Sequence, residues 1–167
     1  TYDLLGNTTS ISYPSSSGAR RLVQYTFDAS GQLNKASDAT GTAFDYVSST
    51  TYSPLGPVSQ LNFNNTVQTI PSWNNRGQLT SLVTKTSGGT EYLDLAYSYL
   101  NNGSISQVTN NLNSLKTEKL TYDELNRLLT AQRGPDNNIQ RKFSYDYDRW
   151  GNRWEQLPVE GEQGGRS

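Results

Sequence analysis

Several stretches of this chain alternate aromatic and polar residues. Tyr25-Thr26-Phe27, Tyr97-Ser98-Tyr99 and Tyr145-Asp146-Tyr147 set aromatics two residues apart, the period of a half-buried strand. Four residues past the second aromatic stands a glycine. The pairs are Tyr2/Gly6, Phe27/Gly31, Tyr52/Gly56, Trp73/Gly77, Tyr99/Gly103 and Tyr147/Gly151, while Tyr122/Asn126 exchanges Gly for Asn. With 11 Tyr, 4 Phe, 3 Trp and 14 Gly in 167 residues, chance supplies about 1.5 such pairs, not six. The seven copies start at 2, 27, 52, 73, 99, 122 and 147, at spacings of 25, 25, 21, 26, 23 and 25. The chain is built from repeats.

The spacing has a mechanical meaning. Asp or Asn at the first position of a turn and Gly at the fourth suit a type I turn closed through a left-handed residue. Asp3-Leu4-Leu5-Gly6, Asp28-Ala29-Ser30-Gly31, Asn74-Asn75-Arg76-Gly77 and Asp148-Arg149-Trp150-Gly151 all fit. Ser53-Pro54-Leu55-Gly56 adds a proline whose φ is already suitable. Asn126 keeps the pattern, because Asn tolerates positive φ better than most residues. Leu100 opens its turn less well. Two residues past the Gly or Asn comes Leu33, Val58, Leu79, Ile105 or Leu128; Thr8 and Arg153, in the terminal repeats, break the rule.

Each unit of roughly 24 residues therefore reads as strand, turn, strand and return loop, such as Ser87-Gly88-Gly89-Thr90. The predicted fold is all-β, a repetitive antiparallel β-hairpin strip over residues 1–155, with a polar tail over 156–167. Fourteen strands spaced by about 4.8 Å would make a ribbon on the order of 65 Å wide. One stretch has a rival reading. Leu115, Tyr122, Leu125, Leu128 and Leu129 could form the apolar stripe of an amphipathic helix, yet residues 122–128 fall in phase with the other repeats. The hairpin is the expected form.

Composition narrows the chemistry. Hydrophobic residues are only 32% of the chain and aromatics 11%, so stacked aromatics must supply what core there is. Cys, His and Met are absent, which removes Cys–His and Ser–His–Asp catalysis, thiolate or imidazole metal sites and disulfides. No cofactor is expected. Lys plus Arg at 14 nearly balances Asp plus Glu at 15, against the basic face that nucleic acid calls for. From Asn111 onward nine cations mingle with nine acids, the pattern of a solvated surface laced with ion pairs. No apolar run approaches the roughly 20 residues of a membrane-spanning helix. The chain opens at Thr1 with no signal-like segment, so it is expected to be processed or a piece of something longer. Abundant Ser, Thr, Asn, Gly and Tyr without Cys suit a secreted or bacterial cell-surface setting.

These repeats resemble YD repeats, also called RHS repeats. The likeness rests on Tyr2-Asp3-Leu4-Leu5-Gly6-Asn7, Tyr122-Asp123-Glu124-Leu125-Asn126-Arg127-Leu128 and Tyr147-Asp148-Arg149-Trp150-Gly151-Asn152-Arg153, with softer copies at Phe27–Leu33 and Trp73–Leu79. It implies a spiralling antiparallel β-strip of the kind that forms hollow shells around toxic cargo in bacterial toxin complexes, and that occurs in wall-associated proteins and teneurins. No segment here matches the larger terminal core region of shell-forming members, so no self-cleavage residues carry over.

Three functions are compatible with such a strip. In the first, the strip is a non-enzymatic segment of an extracellular or toxin-encapsulating β-shell. Tyr2, Phe27, Tyr52, Trp73, Tyr99, Tyr122 and Tyr147 stack repeat on repeat, and the partners are further repeats of the parent chain or copies of itself, the latter giving a surface fibre through open edges. In the second, exposed aromatics bind cell-surface glycans. Trp150 and Trp154 fall outside the repeat's aromatic phase and are the candidates; the blander reading has Trp150 filling a turn and Trp154 capping the strip. In the third, Asp146 and Asp148, two apart, act as a glycosidase pair, although Asp148 is already explained as a turn opener.

Overall fold

The computed structural model describes residues 1–15, 18–42 and 44–160. Its strands are β1 (Ser10–Ser12), β2 (Leu22–Phe27), β3 (Leu33–Asp38), β4 (Phe44–Tyr52), β5 (Val58–Phe63), β6 (Val67–Trp73) and β7 (Leu79–Thr86). There follow β8 (Glu91–Tyr99), β9 (Ile105–Asn110), β10 (Glu118–Tyr122), β11 (Leu128–Arg133), β12 (Arg141–Tyr147) and β13 (Arg153–Glu160). Sheet order is chain order, as hairpins joined by short connections dictate. The fold is the expected all-β hairpin strip.

Contacts group the chain into two units, Thr1–Gln78 with Val83–Tyr92, and Leu79–Leu82 with Leu93 onward. In the first, β2 pairs antiparallel with β3, β3 with β4, β4 with β5 and β5 with β6. In the second, β8 pairs with β9, β9 with β10, β10 with β11, β11 with β12 and β12 with β13.

Among the described residues there are thirteen strands, where fourteen are expected. The first arm of the first hairpin is not among them: there Tyr2 and Thr8 form a lone antiparallel bridge. The helical reading of Leu115–Thr130 fails. Only Ser114–Lys116 makes a single 3-10 turn, capped by Asn113 Oδ1 accepting from the Leu115 N–H, before β10 begins. At the other end β13 runs on to Glu160, so residues 156–160, placed in the polar tail, are strand; residues 161–167 lie outside those described.

The register slips by one residue beside the repeat aromatic. Phe27 faces Leu33 while Thr26 faces Lys35, leaving Asn34 without a partner. The same slip falls at Ser59, Ser106, Leu129 and Trp154. A β-bulge of this kind sharpens local twist and re-aims side chains, so the repeat carries its own curvature.

The core is thin. Among the described residues only Val23 is a buried hydrophobic, and no side chain falls below 2% exposed. A single sheet leaves most side chains half-buried, so the strip depends on its ladders and on what joins one hairpin to the next.

Candidate functional site

Five of the seven repeat turns, those opened by Asp3, Asp28, Asn74, Asp123 and Asp148, are built in the same way. The first residue accepts two backbone N–H bonds on one side-chain oxygen and holds the chain in a tight loop. Asp28 Oδ1 takes the N–H of Ser30 at 2.8 Å and of Gln32 at 2.9 Å. Asp3, Asn74, Asp123 and Asp148 do the same for the residues two and four further on. The carboxylates' second oxygens are engaged too: Asp3 by Asn7, Asp148 by Asn152, and Asp123 by the Arg127 Nε at 2.7 Å. These bonds hold the carboxyls of Asp3, Asp123 and Asp148 below the ordinary range. The largest cause is the Asn7 side chain for Asp3, the Arg127 N–H for Asp123 and the Asn152 side chain for Asp148.

The turn closes through positive φ. Gly6, Gly31, Gly56, Gly77, Gly103 and Gly151 lie between 72° and 98°, and Asn126 at 63°. Asn126 also does what Gly cannot. Its Oδ1 accepts from Asn102 Nδ2 at 2.9 Å and from Ser104 Oγ at 2.6 Å, tying two neighbouring turns together. The turn opened by Leu100 has no carboxylate, and Asn102 Oδ1 accepts the Ser104 N–H instead. In Ser53-Pro54-Leu55-Gly56 the Ser53 hydroxyl is buried without a partner.

The repeat aromatics reach across to the preceding repeat. The hydroxyls of Tyr52, Tyr99, Tyr122 and Tyr147 donate to the carbonyls of Leu33, Leu79, Ile105 and Leu128, and the Trp73 Nε1–H to that of Val58, at 2.6 to 2.8 Å. The acceptor is in every case the apolar residue two past the turn Gly or Asn of the repeat before. Two of these bonds lie in the first unit and three in the second. Partial burial pushes the Tyr122 phenol up, away from ionisation, which keeps it a donor. Arg127 adds a second link, its guanidinium lying 4.7 Å from the Tyr147 ring centroid. Phe27 has no hydroxyl to offer, and Tyr2 stands exposed at the first bridge.

Spacing alone carries none of the acceptors, which are backbone carbonyls. A signal for the turn's second half was present: the residue after the Gly or Asn is Asn7, Gln32, Gln78, Arg127 or Asn152, each able to donate a hydrogen bond back to the turn opener.

Trp150 and Trp154 are both exposed. Trp150 is the third residue of its turn, 74% exposed, with the Arg149 guanidinium 4.5 Å from its ring centroid. Trp154 occupies a bulge position and is 78% exposed. Of Asp146 and Asp148, the second is committed to its turn: both its oxygens accept hydrogen bonds there and its carboxyl is held low, the wrong direction for a general acid. Among the described residues no three acidic side chains gather as a metal site would require. Tyr13, Arg21, Val23, Tyr25 and Tyr46 border an open hollow of about 670 Å³, where Arg21 pairs with Asp38 and the Tyr46 hydroxyl donates to the same carboxylate.

No family model matches the chain, and no curated protein does. Solved structures do. One is the crystal structure of TcdB2-TccC3-TEV, with TM-score 0.79 and 22% identity over 95% of this chain. Another is the Photorhabdus luminescens Tc holotoxin pore carrying the TccC3 mutation D651A, with TM-score 0.75 and 21% identity over 92%. In both, this chain spans 9% of the length of the chain it matches. At these identities the likeness is one of fold.

Proposed function

We propose that this chain is a non-enzymatic structural module, a segment of a secreted toxin-encapsulating β-shell whose partners are further repeats of the same parent chain. The observation that carries the reading is the run of aromatic donors, each bonded to a carbonyl of the repeat before it. Bonds placed in phase along the chain propagate a strip and create no cleft. The likeness in fold to TcdB2-TccC3 chains supports the same reading.

A fibre made by edge-to-edge pairing of copies is the less favoured form. The side chains of residues 153–159 in β13 are exposed, and they include Arg153, Glu155 and Pro158. Charge and proline are what natural edge strands use against pairing. The exposed Trp150 and Trp154 favour, as a second reading, a module that stacks cell-surface sugars.

Electron microscopy of the purified chain, with circular dichroism on the same sample, separates these. Folded, discrete particles whose Trp fluorescence ignores added oligosaccharides are expected. Fibres would replace the shell segment by a self-assembling strip, and a saturable fluorescence change would replace it by the glycan-binding module.

A further inference from the structure

Arg133 and Arg141 stand directly opposite each other across the β11–β12 ladder. Like charges in that relation repel and weaken the pairing. Four basic residues elsewhere pair with acids: Arg21 with Asp38, Lys35 with Asp45, Lys119 with Asp136 and Arg127 with Asp123. Among the described residues Arg133, Arg141 and the nearby Lys116 make no ion pair. Glu118 is the register partner of Arg133 on its other side, yet it forms no ion pair with it. Lys142, next along β12, acts on Asp136 instead.

The three cations converge. Asn113, Leu115, Lys116, Arg133, Gln140 and Arg141 line an open depression of about 300 Å³ at the end of the hairpins away from the repeat turns. Its walls are pinned by the Gly134 N–H donating to the Thr117 carbonyl and the Gln140 N–H to the Arg133 carbonyl, both at 2.8 Å. Gly134 leaves no slack, since a Cβ there would meet the Asn138 carbonyl oxygen at 2.5 Å. Arg133 is half-buried and faced by Arg141, and the lining of this depression holds three cations and no acid, a charge that a bound anion would offset.

We propose that this depression binds a tetrahedral oxyanion, a phosphate or sulfate group, either free or carried as an ester on an oligosaccharide. Guanidinium forks match such oxygens in bidentate fashion, and Lys116 adds a point charge. Three cations are too few for a nucleic-acid backbone, whose binders neutralise roughly six to ten phosphates.

The test compares the chain with Arg141→Gln and, as a control at an exposed turn, Arg149→Gln. Thermal unfolding and calorimetry are run with inorganic phosphate, inorganic sulfate, a sulfated disaccharide and single-stranded DNA, at matched ionic strength against chloride. The expected result is a midpoint raised by phosphate and sulfate above chloride in the chain and in Arg149→Gln. Arg141→Gln should melt higher than the parent in chloride, because the repulsion is gone, and lose about tenfold or more in oxyanion affinity. Tighter binding of the disaccharide than of inorganic sulfate identifies an ester on a sugar; equal binding identifies the free ion. No oxyanion-specific shift, an unchanged shift in Arg141→Gln, or tightest binding to DNA would overturn the site.

Discussion

The Tyr122 hydroxyl donates to the Ile105 carbonyl oxygen at 2.8 Å, one residue off direct register between β9 and β10. The same diagonal relates Tyr147 to Leu128 and Trp73 to Val58. Extending the β1–β2 register places Phe27 on that diagonal from Thr8, with no hydroxyl to use it. Phe27→Tyr is therefore expected to add a bond and stabilise the chain by about 1 kcal/mol, read as a higher urea midpoint.

Thr66 carries a different strain. It is β-branched and sits at φ 66° in the turn between β5 and β6, where its side chain crowds the backbone. Thr66→Gly relieves this at some cost in unfolded-chain entropy, and a net gain of about 1 kcal/mol is expected. A lower melting temperature in that variant would remove the strain argument.

Acid sensitivity follows from the turns. The carboxyls of Asp3, Asp123 and Asp148 are held below the ordinary 3.8, as are those of Asp38, Asp45 and Asp136. The unfolded chain then takes up protons first. The stability these groups contribute is present above about pH 4 and is lost as pH falls through their depressed values. Asn74 makes the same turn contacts with a neutral amide. Replacing Asp3, Asp123 and Asp148 together by Asn should keep the turns and flatten the decline in melting temperature between about pH 4 and pH 2. An unaltered decline would place the acid sensitivity elsewhere.

Trp154 is 78% exposed and covers little of the strip around it. Trp154→Ala is expected to change stability by no more than about 0.5 kcal/mol, as an exposed substitution does. A loss several times larger in thermal unfolding would restore the capping role.

What was legible in the sequence was local. Phe27-Asp28-Ala29-Ser30-Gly31 states both its strand end and its turn, because the turn needs an acceptor at one place and positive φ at another. Tertiary pairing was not legible. The bulges at Asn34 and Leu129 exist only once two strands are in register, and a hydrogen bond from Tyr122 to a backbone carbonyl leaves no mark on the accepting residue's identity. The helical stripe around Leu125 misled because a turn also places Leu at helical spacing. Pro158 gave no warning that β13 runs on to Glu160, since an edge strand tolerates proline.

The central claim is that bonds between successive repeats hold the strip together. Urea unfolding of Tyr122→Phe beside Tyr92→Phe, whose ring is exposed, tests it most directly. The account predicts a loss of about 1 kcal/mol for Tyr122→Phe with an unchanged denaturant slope, and none for Tyr92→Phe. Equal midpoints for the two variants would contradict it.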